Sequence, residues 1–403
     1  SMLFAIQNKR IFNLSILNNH IIDYPTPVNI NYLWSFGSLA GFCLAIQIIT
    51  GILVSMHYTP HVVFAFNSVE HICRDVESGW IFRYLHANGA SLFFVVVYIH
   101  IARALYFKSY RNLILWFSGI AIFGLMMATA FLGYVLVWGQ MSFWGATVIT
   151  NLFSAIPFIG DNIACWLWGG FSIGNATLNR FFSLHFALPF IIAGLSLAHI
   201  AILHEQGSTN PLGIYSKLDK IAFYPYFYVK DMFGFFFILG TLFVYFLFFD
   251  PNILGHPDNY IKANAVITPS HIVPEWYFLV FYAILRSIPN KIGGVLFMAG
   301  AILILFTLPF QSNLKIKSSK FDYFFQFFYW MFIVNSFLLC WLGAQVVEQP
   351  YILAGQISTA FYFFYFFVIL PEIFKLQNQC FNNYKKNIGI HWFWFWVLQR
   401  GTK

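Results

Sequence analysis

The sequence predicts an all-α, polytopic membrane protein of eight transmembrane helices, with the first four spans forming a four-helix bundle and amphipathic surface helices completing the fold. Three observations predict it. The 403 residues are 60% hydrophobic, 22% aromatic and 9% charged, with mean hydropathy +0.70, whereas soluble domains are about 25% charged. Eight apolar stretches approach the ~20 residues needed to cross a bilayer core. Four histidines recur at one spacing within those stretches.

The stretches are span A, Tyr32 to Met56; B, Trp80 to Tyr106; C, Leu113 to Val137; D, Leu178 to Leu203; E, Met232 to Phe249; F, Ile292 to Phe310; G, Tyr323 to Val347; and H, Tyr351 to Leu370. An even number of crossings puts both termini on one side. The termini and the B/C, D/E and F/G connections hold Lys9, Arg10, Lys108, Arg111, Lys217, Lys220, Lys230, Lys315, Lys317, Lys320, Lys375, Lys385, Lys386, Arg400 and Lys403. The opposite loops hold only Arg74, Lys262, Arg286 and Lys291. This asymmetry places both termini on the negative side. The net charge of +8 thus sets orientation and is no sign of nucleic-acid binding.

Two connections are too long for simple turns: Gln140 to Asn175 between C and D, and Asp250 to Lys291 between E and F. Both lie on the positive side and mix Pro, Gly and aromatic residues with few charges. They are expected to form surface helices roofing a site. The tail His391-Trp-Phe-Trp-Phe-Trp is expected in an interfacial aromatic belt. The division expected is 1–225, the bundle of spans A to D, and 226–403, spans E to H with the E/F loop. Cys43, Cys73, Cys165, Cys340 and Cys380 include no C-x-x-C or C-x-x-C-H, so neither a disulfide framework nor covalently attached haem is expected. Ser1 to Asn19 lacks a long apolar run ending in a small-residue cleavage site, so no secretory signal is expected.

Span B carries His86 and His100, and span D carries His185 and His199. Each pair is separated by close to four helical turns, so its members face nearly the same way, roughly 21 Å apart along the axis. If B and D face each other, the imidazoles make two pairs, one per leaflet. Two imidazoles on opposite faces of an iron porphyrin leave no open coordination position, so such a b-type haem passes electrons without binding oxygen. The alternative is packing or hydrogen-bonded histidines, although a buried imidazole in lipid is costly and usually functional.

Gly37 and Gly51 in span A, and Gly119 and Gly133 in span C, repeat the same interval. A missing Cβ lets a flat macrocycle approach a helix backbone. Glycines in membrane helices also mark helix contacts. Haem propionates need cations or donors, and Arg83 and Arg103 lie one turn outward of His86 and His100, with Gln47, Ser109 and Trp116 as added donors. Snorkelling to head groups is the other reading of the arginines. Pro189, four residues after His185, is expected to bend span D. Two further readings remain open: another dihaem membrane anchor of a dehydrogenase, or a transporter with structural histidines, the latter calling for mid-membrane charges and broken spans.

These residues, with Asp23-Tyr-Pro-Thr-Pro, Gly37-Ser-Leu-Ala-Gly, His57-Tyr-Thr-Pro, Gly133-Tyr-Val-Leu-Val-Trp-Gly-Gln-Met-Ser-Phe-Trp-Gly-Ala-Thr, Pro211-Leu-Gly, Pro274-Glu-Trp-Tyr and Ala283-Ile-Leu-Arg-Ser-Ile-Pro, resemble cytochrome b of the respiratory, mitochondrial-type bc1 complex over nearly the whole chain. The resemblance implies a dihaem subunit of quinol:cytochrome c oxidoreductase. Its partners would be a Rieske iron-sulfur protein, cytochrome c1 and further bc1 subunits, in a dimeric complex of the mitochondrial inner membrane with both termini on the matrix side. It implies that His86 and His185 hold a low-potential haem near the positive side, and His100 and His199 a high-potential haem near the negative side. Tyr134, Gly145, Glu275, Tyr277 and Tyr282 would build the outer pocket that oxidises ubiquinol, with Glu275 taking a proton. His204, Ser208, Lys230 and Asp231 would serve the inner site that reduces ubiquinone, with His204 and Asp231 supplying protons. The resemblance further implies one quinol electron to the iron-sulfur partner and one across the membrane, coupled to proton translocation. Two departures stand out: Val137, where the family usually has proline, and Gly174, where aspartate is common.

Overall fold

The computed structural model describes residues 18–311, 318–380 and 382–383. Lys9, Arg10, Lys315, Lys317, Lys385, Lys386, Arg400, Lys403 and the aromatic tail at 391–396 lie outside the described residues. Among those described, seven helices are long and apolar enough to cross a membrane: Tyr32–Ser55, Gly79–Tyr106, Leu113–Leu136, Asn175–Gln206, Lys291–Gln311, Tyr323–Ala344 and Tyr351–Cys380. They coincide with spans A, B, C, D, F, G and H. Span E is the eighth and begins earlier than its apolar run. An α-helical stretch Tyr226–Phe235 continues through π-helical turns at Phe236–Gly240 and Tyr245–Phe249. Span D passes Pro189 within one continuous helical run.

Local chemistry starts the spans where the sequence supplies a cap. Asn112 accepts from Leu115 N–H at 3.3 Å to open C, Asn290 from Gly293 N–H at 2.9 Å to open F, and Asp322 from Phe325 N–H at 3.1 Å to open G. Each satisfies an orphan donor of a first turn. Span D opens on extended Gly174, which has no side chain to offer. Its N–H is instead taken by Thr177 Oγ1 at 3.1 Å, and that hydroxyl donates to Trp168 O at 2.7 Å.

Span A packs along B, and C along D, giving the bundle that carries the histidines. A second apolar core joins it to spans F, G and H through Phe94, Trp116, Ile284, Leu305, Leu308, Phe325 and Phe366. A short antiparallel ladder, Pro25–Pro27 against Lys220–Ala222, ties the segment before A to the D/E connection.

The two long connections do form surface helices. Gln140–Asn151 and Gly160–Trp168 lie between C and D, and Leu279–Ser287 lies between E and F. They are knotted together by long-range hydrogen bonds. Gln140 Nε2 donates to Ile267 O at 3.0 Å and Gln140 Oε1 accepts from Asn264 N–H at 2.8 Å. Asn259 Oδ1 accepts from Ser142 N–H at 2.9 Å. Gly139 allows this approach, since a Cβ there would stand 2.3 Å from Asn259 O. Trp138 beside it takes φ +58°, a left-handed conformation that costs a non-glycine residue of order 1–3 kcal/mol and is held by its surroundings.

Candidate functional site

The four histidines meet in pairs. The His86 and His185 rings are 6.1 Å apart between centroids and nearly perpendicular, at 86°, and His100 and His199 lie within electrostatic reach of each other. Each of the four glycines faces one of these rings. A Cβ on Gly37 would lie 3.4 Å from His100 Cε1, on Gly51 2.9 Å from His86 Cε1, on Gly119 3.3 Å from His199 Cε1, and on Gly133 2.3 Å from His185 Cε1. Real Cβ contacts begin beyond about 3 Å, so a methyl at Gly51 or Gly133 would force the facing ring to move.

The ring nitrogens show which atom is left for a metal. His86 Nδ1 lies 3.0 Å from Thr50 Oγ1, whose own proton goes to Ile46 O at 2.6 Å, so the imidazole donates. His199 Nδ1 donates likewise to Ser118 Oγ at 2.7 Å, and His185 Nδ1 to Thr129 O at 2.8 Å. Fixing Nδ1–H this way leaves Nε2 as the basic nitrogen, the arrangement that metal-ligating histidines use. His100 is the exception, with Arg103 Nη2 at 3.1 Å from its Nδ1. Arginine only donates, so ligation through His100 Nε2 requires Arg103 to turn to another acceptor. Arg103 Nε is buried without a partner, and its guanidinium stands 5.3 Å from the Trp34 ring centroid. A carboxylate such as a haem propionate would satisfy both conditions. The residues therefore fit a bis-imidazole haem at each level.

The other proposed donors are placed differently. Ser109 Oγ is exposed, 3.3 Å from Thr209 Oγ1. Trp116 Nε1 donates to Leu305 O at 2.8 Å, so its N–H ties C to F in this structure and is not open to a propionate. Gln47 reaches Leu85 O at 3.5 Å and covers Gly89, which sets it beside the backbone of B rather than at the membrane edge. Arg83 lines the same cavity as His86.

That cavity, about 470 Å³, opens around the His86–His185 pair. Gly51, His86, Gly133, Tyr134, His185, Glu275 and Tyr277 all border it. The Glu275 carboxyl is pushed up to about 7, first by burial, against which the Tyr134 hydroxyl and the Arg83 charge pull it down. The Tyr134 hydroxyl adjoins that carboxyl but makes no close hydrogen bond. The Pro274-Glu-Trp-Tyr turn is pinned to span B at three points. Tyr277 stacks on Phe94 at 4.0 Å and 2°, Tyr98 Oη donates to Tyr277 O, and Trp276 Nε1 donates to Ser91 Oγ at 3.1 Å. Gly145 and Tyr282 do not border the cavity. Tyr282 Oη donates to Ile272 O at 3.1 Å, and its ring carries the Arg286 guanidinium at 4.7 Å.

At the other membrane edge, His204 is sandwiched. Its ring stacks on Tyr24 at 3.9 Å, and its Nδ1 lies 2.9 Å from His20 Nδ1. Burial raises the Tyr24 phenol, opposed by the nearby Ser208. Asp231 adjoins Ser35 and Ser38, and Lys230 Nζ donates to Ile30 O at 2.7 Å. His20, Tyr24 and Ser35 were not singled out by the sequence. Thr50 and Ser118 each directly precede a ring-facing glycine, a hydroxyl–glycine signal that could have been read.

Comparison with known proteins agrees with this geometry. The family model for cytochrome b/b6/petB matches residues 21–207, and that for the cytochrome b C-terminal/b6/petD region matches 262–363. Cytochrome b of Chondrus crispus is 59% identical over 370 residues, 91% of this chain and 96% of its own length. Cytochrome b of Solanum tuberosum is 58% identical over 387 residues, 94% and 98% respectively. A chain of a solved hyperthermophilic respiratory Complex III superimposes with a TM-score of 0.86 at 31% identity, covering 93% of this chain and 99% of that one. These likenesses leave no place for the dehydrogenase-anchor and transporter readings. Eight membrane helices, two histidine pairs each backed by glycine, and matches along both halves of the chain lead to one conclusion: it belongs to the cytochrome b family, as a multi-pass electron-transfer subunit of a respiratory Complex III.

Proposed function

We propose that the chain binds two b-type haems non-covalently, oxidises ubiquinol at the positive side and reduces ubiquinone at the negative side. The observation that carries this reading is the repeated unit of two histidines and two glycines, with an acid in the cavity of one unit. When bound, the two haems supply a path for electrons between the membrane faces.

The chain's own residues supply the rest. Thr50, Thr129 and Ser118 hold Nδ1–H of His86, His185 and His199 and so orient Nε2. Glu275 accepts a proton from the quinol hydroxyl, and its carboxyl near 7 is matched to that task at neutral pH. Arg83 attracts the carboxylate once formed. The knotted C/D and E/F connections exclude bulk water from above. His204 and Asp231 give protons at the inner site, while Ser208 and Lys230 position the quinone oxygens. Gly145 and Tyr282 belong to the roof around the outer pocket.

We read the chain as an N-terminal bundle, 1–225, and a C-terminal part, 226–403. It would sit in the mitochondrial inner membrane, with both termini in the matrix. Its partners would be a Rieske iron-sulfur protein, cytochrome c1 and other subunits of a dimeric, proton-translocating complex. Pyridine haemochrome assay of the purified complex tests the core of the proposal. Two b haems per chain are expected, and a ratio near one or zero overturns it.

A further inference from the structure

The second histidine at the inner edge has no place in the scheme above. His20 lies in the segment Asn18–Ile22 before span A, 184 positions from His204, yet its Nδ1 stands 2.9 Å from His204 Nδ1. The two rings are parallel within 7° at 5.1 Å. Two facing Nδ1 atoms at hydrogen-bond distance share one proton, with one ring donating and the other accepting. The segment is held in place independently of this contact. Asp23 N–H donates to Asn18 O at 2.9 Å, Tyr224 N–H to Ile22 O at 3.1 Å, and the Pro25–Pro27 ladder follows directly. Tyr24 covers His204, while His20 is exposed. One ring of the pair is sheltered and the other meets water.

We propose that His20 is a proton relay that recharges His204 during quinone reduction at the inner site. The inference rests on the inner-site reading above. His20 carrying protons on both nitrogens donates Nδ1–H to His204 Nδ1. As His204 releases its Nε2 proton to a quinone oxygen that has received an electron through the established activity, the shared proton moves onto His204 Nδ1. His204 stays neutral throughout. His20 ends neutral with its remaining proton on Nε2, and His204 ends as its Nδ1–H tautomer. Before the next turnover His204 exchanges back to its Nε2–H tautomer and His20 takes a proton from water, so the pair delivers one proton and takes up one. The relay avoids leaving an anionic or a cationic imidazole beside the quinone, either of which costs more in a partly buried site than a neutral ring. The other titratable groups on packed elements are Tyr24 and Asp23 from the same segment, Glu205 from span D, and Lys220 and Tyr224 from the D/E connection. Of these, Tyr24 stacks on the His204 ring.

The test uses intact complex in membranes, with haem reoxidation through the inner site followed across pH. His20→Ala and His20→Gln are compared with His204→Ala. Gln keeps a hydrogen-bond donor toward His204 but carries no transferable charge, so it separates relay from packing. Both His20 variants are expected to retain haem and outer-site oxidation and to slow inner-site reoxidation roughly tenfold, with the deficit narrowing as pH rises, because the relay works through the protonated form of His20. Added imidazole is expected to restore the rate in His20→Ala. Native rates in His20→Gln, or a slow His20→Ala that imidazole does not rescue, overturn the relay. If His20 variants are native while His204→Ala is slow, the relay fails and the inner site stands. If all three are native, the inner-site reading itself falls.

Discussion

Lys108 Nζ lies 3.1 Å from Asp322 Oδ2, with the two side chains 0% and 9% exposed. The pair joins the B/C connection to the start of span G, and Gln377 of span H adds a contact to Lys108 at 3.3 Å. The Phe325 ring sits 4.5 Å from the ammonium. Burial lowers the Lys108 ammonium from its ordinary range, and Asp322 pulls it back. One of the cations that set orientation by the charge count is therefore also an internal strut.

Removing one member leaves the other buried without its counter-charge. Lys108→Met should lower stability by about 3–5 kcal/mol. Asp322→Asn keeps the cap on Phe325 and removes the charge, so the double variant should recover much of the loss. Thermal midpoints of the solubilised protein measure all three, and simple additivity of the single losses would contradict the pairing.

The four glycines should not respond alike. Gly133→Ala and Gly51→Ala put a methyl within 2.3 and 2.9 Å of a ligand ring and are expected to lose the positive-side haem. Gly37→Ala and Gly119→Ala meet their rings at 3.4 and 3.3 Å, so a small shift suffices and haem should largely be kept. Difference spectra of each variant give the ranking.

Glu275 sets the pH response of the outer site. Its carboxyl is raised to about 7, so the base form grows through neutrality and quinol oxidation should climb from about pH 6 to 8. Glu275→Gln should be slow and flat across that range with haem intact. The folded state holds this proton more tightly than the unfolded chain, so the wild type loses stability as pH rises from the ordinary carboxyl value through about 7. Gln lacks that loss, and its thermal midpoint should gain on the wild type over the same window. Parallel profiles for the two proteins would make Glu275 a structural residue.

At the inner edge, Asp231→Asn and His204→Ala should block reoxidation of the negative-side haem while outer-site oxidation still reduces both. Stopped-flow haem reduction, with the outer site open and then inhibited, distinguishes the two. Native reoxidation in both variants would remove these residues from the inner site.

The spans were legible because a 20-residue apolar run has few other uses. The apolar run of span E is shorter than its helix because Tyr226–Asp231 mixes charge with aromatic residues, and its π turns blur the 3.6-residue period. The histidine and glycine repeats were legible for the opposite reason, being periodic within single helices. What escaped notice was made by distant segments meeting. His20 with His204, Lys108 with Asp322, Gln140 with Ile267 and the Trp116 indole with Leu305 each join positions over a hundred residues apart, and no local pattern marks them.

The knot between the two connections has a consequence for biosynthesis. Every ring-facing glycine and every histidine of the two pairs lies before residue 207, whereas Asn259, Asn264 and Ile267, which fasten the roof, belong to the stretch after span E. A ribosome therefore makes the histidines and glycines of the cavity well before it makes the fastening. In that interval a flat prosthetic group can enter from above, and the later segment closes behind it.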